Sequence, residues 1–237
     1  MKLIKVKNYP ELSRIAAELI ISEISKKPGC VLGFATGQSP LGLYKNLVGA
    51  YNKRKVDFSK VKSFNLDEYY PIRKSDKNSF YYYMHKNLFE KINIKKENIN
   101  FLNGEAKDPA KECSRYEKML KKHDLDLQIL GVGVNGHIGF DEPGSRVNSK
   151  TRLVSLTDKT RKYNSRHFKN ERVPRQALTM GIRNILNSKK IILLASGNAK
   201  KESIKHLLEG KVSGKWPVTY LKKHKGLVLI ADKKALG

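Results

Sequence analysis

Four side chains able to carry protons or hold a charged group crowd into one short stretch, Leu130 to Gly144. They are Asn135, His137, Asp141 and Glu142, set among glycines at 131, 133, 136, 139 and 144. An imidazole is the side chain whose ordinary pKa lies nearest neutrality, and a carboxylate five residues on can orient it or tune its charge. The pattern therefore suits a proton-transfer site. The glycines let the backbone turn sharply and approach a ligand closely. A plainer reading of the same residues is a Gly-rich turn bearing a surface histidine.

A second acidic position follows the apolar run Val61 to Leu66, where Asp67 and Glu68 are adjacent. Neighbouring residues at a strand end point in different directions, so one of the two faces any crevice there. A carboxylate in that place serves as a base once burial and neighbours raise its pKa. The simpler alternative is a strand-end turn.

Two further stretches could hold an anion. Thr36-Gly37-Gln38-Ser39-Pro40 links a buried run, Cys30 to Ala35, to a helix expected from Leu41 to Tyr51, with Ser39 placed as N-cap and Pro40 as the first helical residue. Unpaired amides at such a helix start, with the Thr36 and Ser39 hydroxyls, make a cradle for negative charge. An ordinary capped helix is the competing reading. The segment matches neither a Walker A loop nor a GxGxxG fingerprint, so no nucleotide is implied. The second stretch is Ser196-Gly197-Asn198-Ala199-Lys200, after the apolar run Lys190 to Ala195, where the lysine could reach an anion.

The elements that must position these residues alternate between strand and helix along the whole chain. Apolar runs at 3–6, 30–35, 61–66, 125–132, 190–195 and 226–231 read as strands, with a strand or turn at 176–181 and a half-wet strand at 151–156. Helical spacing marks 9–25, 79–88 and 109–122, Asp158 is placed as the cap of a helix running through Phe168, and short helices follow near 182–186 and 200–209. No linker, repeat or low-complexity tract interrupts this order. The pattern predicts a single doubly wound α/β domain over 1–237, with a mostly parallel sheet flanked by helices. In such sheets the ligand crevice lies at the carboxyl ends of the strands, where every residue named above falls.

Composition narrows the function classes. Hydrophobic content of 39% and charged content of 30% fit a globular protein rather than a disordered one. No apolar run is long enough to span a bilayer, the N-terminal residues lack a signal-peptide core, and two cysteines cannot frame a disulfide scaffold. A cytoplasmic protein is expected. The net charge of +26 raises nucleic-acid binding, but the lysines are dispersed in pairs such as Lys26-Lys27 and Lys189-Lys190. With no zinc-finger spacing or aromatic RNA-binding motif, a solvated surface that steers anionic metabolites inward is the better reading, and no specific nucleic acid or membrane partner is expected.

Six segments in order, 33–40, 64–69, 133–143, 164–166, 174–181 and 197–200, resemble the family of glucosamine-6-phosphate deaminases and 6-phosphogluconolactonases. The likeness covers nearly the full length, and His137-Ile138-Gly139-Phe140-Asp141-Glu142-Pro143 resembles the deaminase branch. What the resemblance implies is conversion of glucosamine 6-phosphate and water to fructose 6-phosphate and ammonia, without a metal or other cofactor. His137 would exchange a proton with the ring oxygen, Asp67 would move the C2 proton to C1, and Glu142 would hold the imidazole. The phosphate would lie on Thr36, Gly37, Gln38, Ser39, Arg166 and Lys200. Asn135 stands where some members carry aspartate; a neutral amide orients the ring but lends less stabilisation to its cation. Rival readings are lactone opening, isomerisation of a related amino sugar phosphate, and a phosphosugar-responsive regulator without catalysis. Whether the chain is a monomer or a homo-oligomer is left open by the sequence.

Overall fold

Lys190–Ala195 is buried at every position after its first residue, so side chains on both faces of this strand lie inside the protein. That is the signature of a strand inside a parallel sheet covered by helices on both sides. The computed structural model describes residues 1–165, 168 and 173–237. Its main sheet is built from β1 (Lys2–Val6), β2 (Val31–Phe34), β3 (Lys62–Asn65), β5 (Ile99–Asn100), β6 (Leu127–Gly131), β9 (Lys190–Ala195) and β10 (Leu227–Asp232). The spatial order is β1-β10-β9-β6-β2-β3-β5, and every pairing is parallel.

Helices α1 (Tyr9–Lys26), α2 (Leu41–Asn52) and α3 (Phe80–Asn87) cover one face, where Leu12, Ile20, Leu47 and Met84 pack with Leu32, Phe34, Ile129 and Ile192. On the other face, α4 (Pro109–Lys122), α6 (Ile182–Leu186) and α7 (Lys201–Leu208) bring Tyr116, Ile185 and Leu207 against Phe64, Leu130, Ile191 and Leu193. The chain is thus a single α/β domain with a mostly parallel sheet, and both cysteines are buried thiols. None of the described helices is long and apolar enough to cross a membrane.

Two features place the crevice. From β2 the sheet grows outward to β3 and β5, whereas from β6 it grows the other way to β9 and β10. The loops after β2 and β6 therefore diverge at their shared boundary, which opens a cleft there. The second feature is a small antiparallel sheet, β4 (Asp67–Tyr70), β8 (Gln176–Thr179) and β7 (Arg152–Ser155), standing beside that cleft. Only Leu66 separates β4 from β3; its amide bonds Phe34 and its carbonyl accepts from Met180, so the chain passes from one sheet to the other at a pinned residue.

Some local expectations change. Pro40, not Ser39, occupies the N-cap of α2, with no side-chain cap, so the Ser39 hydroxyl is left to other partners. Thr157 rather than Asp158 caps α5 (Asp158–Asn164), its hydroxyl accepting from the Thr160 amide. Asp67 and Glu68 belong to a paired strand rather than to a turn.

Candidate active site

The cleft between the ends of β2 and β6 is a cavity of about 960 Å³. Its wall carries Thr36, Gly37, Gln38 and Ser39 after β2, Asp67 at the start of β4, Asn135 and His137 after β6, and Lys200 after β9. Segments scattered across the sequence meet because all their strands end at one edge of the sheet.

Asp67 is almost fully buried, and no described residue donates a hydrogen bond to its carboxylate. Burial, with Glu68 and Asp141 as further negative neighbours, holds its carboxyl well above the usual carboxylate range. An unsolvated carboxylate without donors is a stronger base than one in water. Glu68, one residue on, points elsewhere and accepts from the amides of Tyr69, Phe80 and Tyr81 at 2.9, 2.8 and 2.8 Å. It secures the start of α3 and is absent from the cavity wall, so the adjacent acids divide as expected.

The loop after β6 is folded around its histidine. The Gly133 amide bonds the His137 carbonyl at 2.9 Å, and the Gly133 carbonyl accepts from the Ser203 hydroxyl at 2.6 Å. A side chain at 133 would meet the imidazole itself, with a Cβ only 2.1 Å from Cε1. Gly136 turns the chain at φ +79° with Trp216 packed against it. Further on, Gly139 lies against β4 and β8: a Cβ there would be 3.5 Å from Asp67 Oδ2 and 3.3 Å from Thr179 Oγ1. This contact brings the histidine loop down onto the acid.

His137 Nδ1 lies 2.6 Å from Asn135 Oδ1, and Asn135 Nδ2 donates to Glu142 Oε2 at 2.7 Å. The other carboxylate oxygen, Oε1, accepts from the Thr160 hydroxyl at 2.5 Å. A carboxylate only accepts, so the amide must turn its nitrogen to Glu142 and its oxygen to the ring. Nδ1 then carries the imidazole proton, and Nε2 keeps the lone pair. Glu142 itself stands 3.8 Å from Nδ1, so it reaches the histidine through Asn135 rather than by the direct contact that the sequence suggested. Burial holds the imidazole below its ordinary pKa; Glu142 pulls it up and Lys200 pushes it down by smaller amounts. A neutral ring with a free nitrogen can accept a proton at neutral pH.

The remaining expected residues separate. Asp141 is fully buried, faces Arg152 at 2.8 Å, and is missing from the cavity wall. Lys200 lies on the wall with no carboxylate partner among the described residues, and burial lowers its pKa below the ordinary lysine value. An unpaired, half-buried ammonium favours an anionic ligand. No described acceptor engages the amides of Gly37, Gln38 and Ser39, so these donors are also available. Arg166 lies outside the described residues. Sequence reasoning did not single out Thr160, nor the Tyr69 and Phe140 rings of the cavity wall, where Tyr69 lies 4.7 Å from Phe80 and 5.6 Å from Phe140. For Thr160 the only sequence signal is its place three residues after the Thr157 cap. Among the described residues, no cluster of three or more histidine, cysteine or acidic side chains is arranged to hold a metal ion.

The family profile described as glucosamine-6-phosphate isomerases/6-phosphogluconolactonase matches residues 8–230. A glucosamine-6-phosphate deaminase of Clostridium novyi is 49% identical over 237 residues, covering 99% of this chain and 98% of the relative. One from a Thermoanaerobacter species is 48% identical, with 99% and 94% covered. A solved structure of a monomeric glucosamine-6-phosphate deaminase superposes with a TM-score of 0.97 at 41% identity, covering 99% of this chain and 98% of that one. A 6-phosphogluconolactonase structure from Thermotoga maritima shares the fold, with a TM-score of 0.78 at 19% identity.

Proposed function

The chain belongs to the family of glucosamine-6-phosphate isomerases and 6-phosphogluconolactonases, and from that premise we propose that it is a glucosamine-6-phosphate deaminase. It converts D-glucosamine 6-phosphate and water to D-fructose 6-phosphate and ammonia. The observation that carries this reading is one cavity walled by a carboxylate to which no described residue donates, Asp67, and by an imidazole whose free nitrogen is set by Asn135.

In this assignment the phosphate rests on the amides and hydroxyls of Thr36 to Ser39 and on Lys200, with Arg166 as a further ligand that the resemblance implies. Holding the unreactive end of the sugar fixes C1 and C2 in register with the acid and base, so binding energy becomes orientation. Nε2 of His137 takes the proton of the C1 hydroxyl and passes it to the ring oxygen, and the pyranose opens to the aldehyde. Asp67 then removes the proton from C2. The electron pair shifts to C1=C2, the aldehyde oxygen takes a proton from the substrate's own C2 ammonium group, and an enolamine forms.

Asp67 returns its proton to C1, leaving a protonated imine at C2. Water adds to that carbon and ammonia departs, which gives the ketose. The chain Thr160–Glu142–Asn135 keeps Nδ1 protonated throughout, and Glu142 lends its charge to the imidazolium through one amide rather than directly. We assign the whole chain to one catalytic domain acting on a small phosphosugar, with a cytoplasmic location.

The test is purified protein with glucosamine 6-phosphate, assayed for free ammonium, beside 6-phosphogluconolactone assayed for acid release. Ammonium without lactone opening supports the assignment; lactone opening alone overturns it in favour of the other branch of the family.

A further inference from the structure

The loop from Ala35 to Ser39 is held by tyrosine hydroxyls on three helices. Tyr44 of α2 donates to the Ala35 carbonyl. From α3, Tyr83 donates to the Gly37 carbonyl at 2.6 Å. Tyr9 of α1 donates to the Gln38 carbonyl at 2.8 Å while accepting from the Gly42 amide at 2.7 Å. Tyr44 and Tyr83 are absent from the cavity wall, whereas Tyr9 lines it together with Pro10 and Arg14.

The peptide unit is planar and trans, so each carbonyl points opposite to the amide that follows it. Fixing the carbonyls of Ala35, Gly37 and Gln38 therefore fixes the directions of the amides of Thr36, Gln38 and Ser39. Two of those carbonyls are drawn to hydroxyls outside the cavity, so the matching amides of Thr36 and Gln38 turn away from those hydroxyls. The turn requires φ +99° at Gly37, a conformation in which residue 37 has no side chain to hold it. Left to itself, such a loop would sample many orientations of its dipoles. The hydroxyls replace that freedom with one arrangement before any ligand arrives.

We propose that Tyr83 and Tyr9 are positioning residues that pre-orient the anion-binding amides of the loop, with Tyr83 acting wholly from outside the cavity. The inference deepens the phosphosugar reading given above and rests on it for the identity of the anion. Neither hydroxyl takes part in proton transfer, and their contribution falls equally on substrate and transition state. Their loss should therefore appear in KM and leave kcat alone.

The experiment compares wild type with Tyr83→Phe, which keeps the ring and its edge contact with Tyr44 at 6.5 Å and removes only the hydroxyl. Inorganic phosphate is titrated by calorimetry, and glucosamine 6-phosphate is followed by ammonium release. The expected result is roughly a two- to tenfold rise in phosphate Kd and in KM, the effect of one lost hydrogen bond, with kcat within about twofold. Tyr9→Phe serves as the second variant and should behave alike. Unchanged phosphate affinity and KM in both variants overturn the inference, as does a fall in kcat at constant KM. If wild type released no ammonia, the functional assignment would fail, while the phosphate titration would still decide the role of the hydroxyls.

Discussion

Asn135 Oδ1 lies 2.6 Å from His137 Nδ1, between the imidazole and the carboxylate of Glu142. The histidine is therefore oriented by a neutral amide, and the Glu142 carboxylate is held at 3.8 Å. A neutral acceptor fixes the tautomer without strongly favouring the charged ring. Together with burial, this keeps the imidazole pKa below its ordinary value.

Asn135→Asp puts an anion directly on Nδ1. A negative neighbour favours imidazolium, so the His137 pKa rises and the neutral base is lost at a higher pH. The acid limb of kcat/KM should move upward, with Asp67 contributing to the same macroscopic limb in both proteins. A pH–rate profile superposable on that of wild type would remove Asn135 from the tuning of the histidine.

Asp67→Asn deletes the proposed carrier of the C2 proton while preserving shape and burial. The expected loss in kcat is about 10²–10⁴-fold, the usual worth of a positioned general base. Phosphosugar binding, measured by calorimetry, should survive. Near-normal turnover would assign the proton transfer to another group.

Lys200→Ala removes the half-buried ammonium that no described carboxylate neutralises. A hydrogen bond to a charged group contributes about 1.5–3 kcal/mol, so KM for glucosamine 6-phosphate should rise roughly 10- to 100-fold with kcat little altered. Steady-state kinetics at saturating substrate separate the two. A drop in kcat at constant KM would show that the lysine acts on the transition state instead.

Gly133→Ala places a methyl group 2.1 Å from His137 Cε1 and forces the ring aside. The obstacle is a side chain that can swing, so stability should fall by less than about 3 kcal/mol in urea titration. A displacement of this size at the reacting group costs about 100-fold in kcat. Full activity in the alanine variant would mean that the imidazole works from a different position.

Much of the framework is written in local pattern. The buried runs at 30–35, 125–132 and 190–195 all become strands of the parallel sheet, and Pro109–Lys122 is a helix over the same residues that its spacing marks. The small antiparallel sheet is not legible in this way, because β4 finds its register with β8 more than a hundred residues later, Asp67 opposite Thr179. The candidates named by type and spacing, Asp67, Asn135, His137, Lys200 and the Thr36–Ser39 loop, line one cavity. The order of contacts was not visible: both Asn135 and Glu142 lie near His137 in sequence, and only side-chain geometry shows that the amide stands between the other two. The tyrosine hydroxyls behind the anion loop escaped notice for a related reason. They come from three helices, and in sequence each reads as an ordinary packing aromatic.

Glu68 binds the first amides of α3, and α3 carries the Tyr83 hydroxyl that grips Gly37. In the proposed mechanism, the neighbour of the base and the support of the anion loop thus share one bracket, which would set the span between the two ends of a bound sugar. That span would work as a caliper. An amino sugar carrying its phosphate on a different carbon would enter the same cavity and present the wrong C–H bond to Asp67.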